Sequence, residues 1–133
     1  MPLLLLDTHI LVRWRIEPER LSRPQSRALQ EQERRGSPLA ISAITLWELA
    51  KLAEHGKLEV DSALDEWLSQ VENDPLIEVL PITARIAAQS VQLGAGFPRD
   101  PADQIIVATA LCHGLRLLTA DERIHRWGRV LLV

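Results

Sequence analysis

A single cysteine, Cys112, stands among 133 residues. That scarcity excludes an internal disulfide and any site built from several thiolates, and it fits a reducing, cytoplasmic setting. Long apolar runs are missing too. Met1 to Leu6 is apolar, but no basic stretch precedes it, and Asp7 ends it far short of a signal peptide or membrane span. No membrane role is expected. A buried parallel strand explains the run better, because such strands read as unbroken aliphatic stretches; on this reading the chain starts inside the fold. Repeats, linkers and low-complexity tracts are also absent. Residues 1–133 are therefore expected to form one domain, 47% apolar and 25% charged, with a core of its own.

Strand-like runs alternate with segments of helical period, which predicts βαβ units and an α/β fold around a central parallel sheet of four to five strands. Strands are expected near 2–6, 38–42, 76–80, 115–119 and 129–133. Asp7 opens a short helix through Trp14, and Pro18 interrupts it. A second helix follows over about 24–35, capped by Ser22 and stopped by Gly36. Ser42 caps a helix that ends before Gly56, with Leu46, Leu49, Ala50 and Ala53 on its apolar face. Asp61 is expected to cap a helix through Val71, and Thr83 one that ends near Gly94. Residues 94–98 read as a loop. Asp100 caps a helix over 101–113 that Gly114 ends; it is apolar nearly all round, the mark of a central, buried helix. Helices are expected on both faces of the sheet.

Against that frame, four acids stand where successive β/α units would present them to one crevice. Asp7 follows the first strand, and Glu48 lies in the helix after the second. Asp103 lies in the first turn of the apolar helix, and Asp121 follows the strand over 115–119. Each has a plain structural explanation. Asp7 and Asp121 suit a cap and a turn, Glu48 suits a solvated face or a pair with Lys51, and Asp103 complements a helix dipole. Together they point elsewhere, because ligands bind outside the carboxyl ends of parallel strands. Carboxylates gathered there repel one another unless a cation sits among them. Hard oxygen ligands suit Mg2+ or Mn2+. The expected chemistry is metal-assisted reaction at a phosphate.

The net charge of −3 does not argue against a nucleic-acid partner. Setting the four acids aside leaves 14 of the 18 acidic residues against 15 basic ones, so the acidity is local. Seven arginines fall from Arg13 to Arg35, which makes that segment the expected face for a docked RNA, although a solvated helix surface explains any single arginine at least as well. Nine acids crowd 48–78 against Lys51 and Lys57. Near the acids, Lys51 and Arg99 are the basic candidates for phosphate contact, Lys51 equally for a pair with Glu48. Trp47 and Trp67 are expected in the core or at a dimer contact rather than stacked on bases. His55, His113 and His125 fall near helix ends, where the dipole explains them. His9 stands one helical step from Asp7, and no histidine pair suits metal-free RNA cleavage.

Four segments carry a resemblance: Leu6-Asp7-Thr8-His9, residues 42–51 around Trp47-Glu48, residues 100–110 beginning Asp100-Pro101-Ala102-Asp103, and Leu118-Thr119-Ala120-Asp121. As a set they resemble the motifs of PIN domains, and most nearly those of VapC-type ribonuclease toxins, across essentially the whole chain. The resemblance implies a three-layer PIN-like fold and a Mg2+- or Mn2+-dependent endoribonuclease. It also implies a homodimer, and a cognate antitoxin that inhibits by occupying the active-site groove, within a larger toxin–antitoxin complex. Carried over, the metal-site acids are Asp7, Glu48, Asp103 and Asp121, with Thr119 a hydroxyl beside them and Asp100 an accessory acid. Gln104 departs from the pattern, since relatives often carry arginine there.

The mechanism expected on this reading is in-line attack of water, leaving 5′-phosphate and 3′-hydroxyl ends without use of the 2′-hydroxyl. Phosphoaspartyl folds fit poorly. The phosphatase pattern wants a second Asp where His9 stands, and a receiver wants an Asp at the strand that ends in Leu80-Pro81. The remaining alternative is a catalytically weak PIN-like module that binds RNA or protein.

Overall fold

Three consecutive leucines, Leu4–Leu6, form strand β1, and their alternation divides the core. Leu4 and Leu6 enter one apolar cluster and Leu5 the other. The same division runs through β2 (Leu39–Ser42), where Leu39 and Ile41 oppose Ala40, and through β4 (Arg116–Leu118), where Leu118 opposes Leu117. In β3 (Ile77–Leu80), Ile77 joins the first cluster and Leu80 the second. A computed structural model, describing residues 2–133, joins the strands in the order β3-β2-β1-β4, all parallel. Leu6 lies level with Ile41 on one side and Leu118 on the other.

Helices cover both faces. Over the first cluster lie α1 (Thr8–Arg15), α2 (Arg23–Arg34), α3 (Ala43–Glu54) and α4 (Leu64–Glu72), contributing Ile10, Leu11, Leu29, Leu49 and Val71. Over the second lie α6 (Pro101–His113) and α7 (Glu122–Trp127), contributing Ile106, Val107, Ala110 and Ile124. Helix α5 (Ala84–Ser90) packs on α6. This is the expected three-layer α/β arrangement, with four strands.

Several boundaries differ from the sequence expectation. The run over 129–133 forms only a parallel bridge, Leu117 to Leu132. Its backbone meets β4 through Leu117 N–H to Leu131 O (2.8 Å) and Val133 N–H to Leu117 O (3.2 Å), too short a pairing for a fifth strand. Helix α4 begins at Leu64 with Ala63 at its cap, not at Asp61. Leu58 is buried in the first cluster and Val60 packs on it, which ties residues 57–63 to the core before a helix can start. Helix α5 stops at Ser90 rather than near Gly94. Leu93 and Phe97 must both reach the second cluster, and the helix ends where Val91 is left in solvent. Trp47 is 55% exposed and not in the core, whereas Trp67 packs on the first cluster.

The strand order creates the site. The chain moves outward from β1 to β2 to β3, then returns across β1 to β4. Connections leaving the carboxyl ends of β1 and β4 therefore part company, opening the kind of crevice in which α/β sheets bind ligands. Asp7 follows β1 there, and Thr119 follows β4.

Candidate functional site

A cleft of about 250 Å³ opens at this point, lined by Asp7, Thr8, His9, Arg13, Glu48, Asp100, Asp103, Ala120, Asp121 and Arg123. Four separate connections supply its acids: the β1–α1 junction, helix α3, the start of α6 and the β4–α7 junction.

Capping and site geometry coincide. Asp7 accepts the Ile10 N–H at 2.8 Å, which caps α1 and aims the second carboxylate oxygen at Thr119. Asp100 caps α6 by accepting from Ala102 N (3.0 Å) and Asp103 N (3.1 Å). Asp121 caps α7 through the Arg123 N–H at 2.9 Å. A short polar residue at each helix start satisfies otherwise orphaned N–H groups, and the positive helix end offsets carboxylate charge.

Hydroxyls hold two of the acids. Thr119 donates to Asp7 and accepts the Asp121 N–H at 3.0 Å, linking the ends of β1 and α7. Thr8 donates to Glu48, and its oxygen lies 3.1 Å from the hydroxyl of Thr45, buried beneath. His125 Nε2 lies 2.9 Å from the Thr119 carbonyl, which can only accept, so that nitrogen carries the proton.

The electrostatics follow from crowding. Burial pushes the Asp7 carboxyl up, and the hydroxyl of Thr119, the Ile10 N–H, His9 and Arg13 pull against it. Burial also raises Glu48; the Thr8 hydrogen bond opposes that, while Asp100 and Asp7 add to it. Asp103 is pushed up to about 7, first by burial and then by Asp100, Asp121, Glu48 and Asp7. Asp121 goes the other way, because Arg123 hydrogen-bonds it at 2.8 Å and holds its carboxyl below the usual range. The same guanidinium reaches Asp103 at 3.5 Å.

Of the basic candidates, Lys51 pairs with Glu54 at 3.3 Å and lies over the Trp47 ring, not against Glu48 or in the cleft. Arg99 is exposed and does not line the cleft. The cations that do are Arg13 and Arg123. Elsewhere in the arginine-rich segment, Arg15 pairs with Asp74, Arg20 with Glu17, and Arg34 and Arg35 with Glu31. Gln104 reaches the Pro98 carbonyl at 3.5 Å. Thr8, Thr45 and Arg123 were not foreseen. The signal for Arg123 was slight: a cation two residues after an acid that begins a helix.

Residues 4–130 match the PIN domain as a family. The chain is 39% identical to the Ribonuclease VapC22 of Mycobacterium tuberculosis over 135 residues, covering 100% of this chain and 99% of that one. Among solved structures, a toxin–antitoxin complex from Klebsiella pneumoniae matches with a TM-score of 0.64 and 27% identity, over 97% of this chain and 94% of that one. VapBC2 of Rickettsia felis, bound to a DNA fragment from its promoter, shares the fold with a TM-score of 0.69 at 18% identity, over 98% and 96%.

Proposed function

The chain belongs to the PIN-domain family, in its VapC group, and on that premise we propose that it is a divalent-metal-dependent endoribonuclease acting as the toxin of a toxin–antitoxin pair. One observation carries the reading: five carboxylates, Asp7, Glu48, Asp100, Asp103 and Asp121, from four separate parts of the chain share a single cleft at the topological switch point. Such a concentration of negative charge is costly without a cation. Support for RNA as substrate comes from the relative named a ribonuclease, and support for an antitoxin from the related toxin–antitoxin complex.

Among the described residues, no three acidic, histidine or cysteine side chains stand close enough to share one ion as they lie. Asp121 is turned onto Arg123 and Glu48 onto Thr8. The donor chemistry nevertheless fits Mg2+ or Mn2+, since every candidate ligand is a carboxylate oxygen and Asp103 sits in a field of like charge. Asp7, Asp103 and Asp121 would hold the ion, with Glu48 completing the set and Asp100 adding negative charge beside it. A bound divalent ion supplies Lewis-acid stabilisation of phosphate charge and a lower pKa for the attacking water.

The chain's own residues supply position. Thr119 and the Ile10 N–H fix Asp7 in one orientation, and Thr8 fixes Glu48. Arg13 offers a guanidinium to the incoming phosphate from the α1 side. Arg123 bridges Asp121 and Asp103 and screens their charges from each other. In-line attack by water leaves 5′-phosphate and 3′-hydroxyl ends. The protein would act as a homodimer in the cytoplasm, within a larger toxin–antitoxin complex; among the described residues no helix is long and apolar enough to cross a membrane.

Calorimetric titration of metal-free protein with Mn2+, beside Asp7→Asn and Asp103→Asn, tests this directly. Uptake weakened by both substitutions is the expected result. Absence of uptake by the unsubstituted protein would remove the basis for catalysis and favour a PIN-like binding module. Asp7→Asn should also abolish RNA cleavage while the fold survives, since Asn is as good a helix cap.

A further inference from the structure

Beside the carboxylate cleft lies a second opening, of about 520 Å³, which shares Arg123 with it. Arg126, Arg129, Phe97 and Trp127 line it, and no acidic residue does. The local structure explains the gathering. Arg123 and Arg126 lie three apart on α7, where side chains are neighbours. Gly128 then takes a left-handed conformation (φ 66°), which turns the chain so that Arg129 comes to the same mouth. Phe97 and Trp127 form its apolar wall in an edge-to-face contact, 5.0 Å between centroids.

Charge balance points to what the opening takes. Arg123 is engaged by Asp121 and Asp103. Among the described residues, Arg126 and Arg129 have no carboxylate within ion-pair distance, although the chain carries more acids than bases. Arg126 in the last turn of α7 complements the helix dipole, but Arg129 lies beyond the helix end and has no such role. Guanidinium groups fork onto phosphate oxygens, and the half-buried Trp127 ring, backed by the buried Phe97, gives a base something to lie against.

We propose that this opening is a phosphate-binding subsite for single-stranded RNA, in which Arg126 and Arg129 grip the strand to one side of the position where it is cut. The proposal rests on the ribonuclease reading and adds the route of the substrate. It places the strand over the β4–α7 side of the cleft rather than along the arginine-rich 13–35 segment, where Arg15, Arg20, Arg34 and Arg35 are already paired with acids.

The test uses full-length protein in an Asp7→Asn background, so that RNA survives, and measures binding of a fluorescent single-stranded oligoribonucleotide against salt. Arg126→Ala/Arg129→Ala should weaken binding on the order of tenfold and flatten the log–log salt slope by about 1.4, two lost contacts at ~0.7 each on a single strand. Arg126→Lys/Arg129→Lys should restore most of the slope, because the charge returns, but less of the affinity, because the fork does not. Equal urea midpoints would confirm that both variants fold. An unchanged affinity and slope in the alanine pair overturns the subsite, as does a lack of RNA binding by the Asp7→Asn protein. So does a loss confined to binding of an acidic peptide, which would make this an antitoxin contact. Failure of the nuclease reading itself registers separately, as absent Mn2+ uptake in the calorimeter.

Discussion

Burial and the surrounding carboxylates both push Asp103 up, and its proton should be visible in stability. In the unfolded chain it titrates near the ordinary 3.8, and in the folded protein at about 7. Between those values the folded state holds the extra proton, so stability falls as pH rises through that window. Asp103→Asn removes this contribution and leaves those of Asp7 and Glu48: the metal-free variant should melt higher than the parent at pH 8, by roughly 3 °C or more, and little differently at pH 4. A Tm difference independent of pH would contradict this. Thr119 makes a second residue-scale case. Thr119→Val strips a donor from buried Asp7 and an acceptor from the Asp121 N–H, and should cost about 1–3 kcal/mol in urea denaturation. Asp7 and Asp121 were legible because they stand at element ends and Asp103 because it opens α6, whereas Glu48, inside α3, stood out only beside the other three. Thr8, Thr45 and Arg123 were not legible, because hydroxyls and cations mean little until it is known which acids they face. Lys51 was misjudged for the same reason: helical spacing allows both Glu48 and Glu54 as partners, and it is Glu54 that Lys51 meets.

Elements whose ends carry their own chemistry were read well. Ser22 caps α2 with Gln25 answering in a capping box, Asp100 caps α6, and Gly114 ends α6 at φ 64°. Ser22→Ala should therefore cost about 1 kcal/mol and leave Mn2+ affinity unchanged, since α2 contributes nothing to the cleft. Gly114→Ala forces a side chain into left-handed backbone and should cost roughly 1–2 kcal/mol, although the space around it is open; equilibrium unfolding would separate the two. Elements set by distant contacts were misplaced. Leu58 and Val60 delay α4, and Leu93 and Phe97 curtail α5, because core residues on either side must be accommodated. The last aliphatic run looked like a strand, yet only Leu132 comes level with β4.

At the scale of the molecule, metal and folding should be coupled. An ion that binds only the folded protein stabilises it by mass action, about 2.7 kcal/mol at a hundredfold excess over Kd. Protons compete for Asp103, so millimolar Mn2+ should raise Tm more at pH 8 than at pH 5, by scanning calorimetry. Equal shifts at both pH values would separate the ion from this cluster. The alternation of leucines, the caps and the order of the acids are local properties, and the chain by itself determined a three-layer α/β fold with a carboxylate site at its strand ends. Strand order was not local. Only the return of the chain across β1 to β4 brought Asp121, Thr119 and Arg123 against Asp7 and Asp103, and turned Arg126 and Arg129 onto a neighbouring opening. That juxtaposition depends on which strands pair, a choice made by burying two apolar faces at once, and no single segment encodes it.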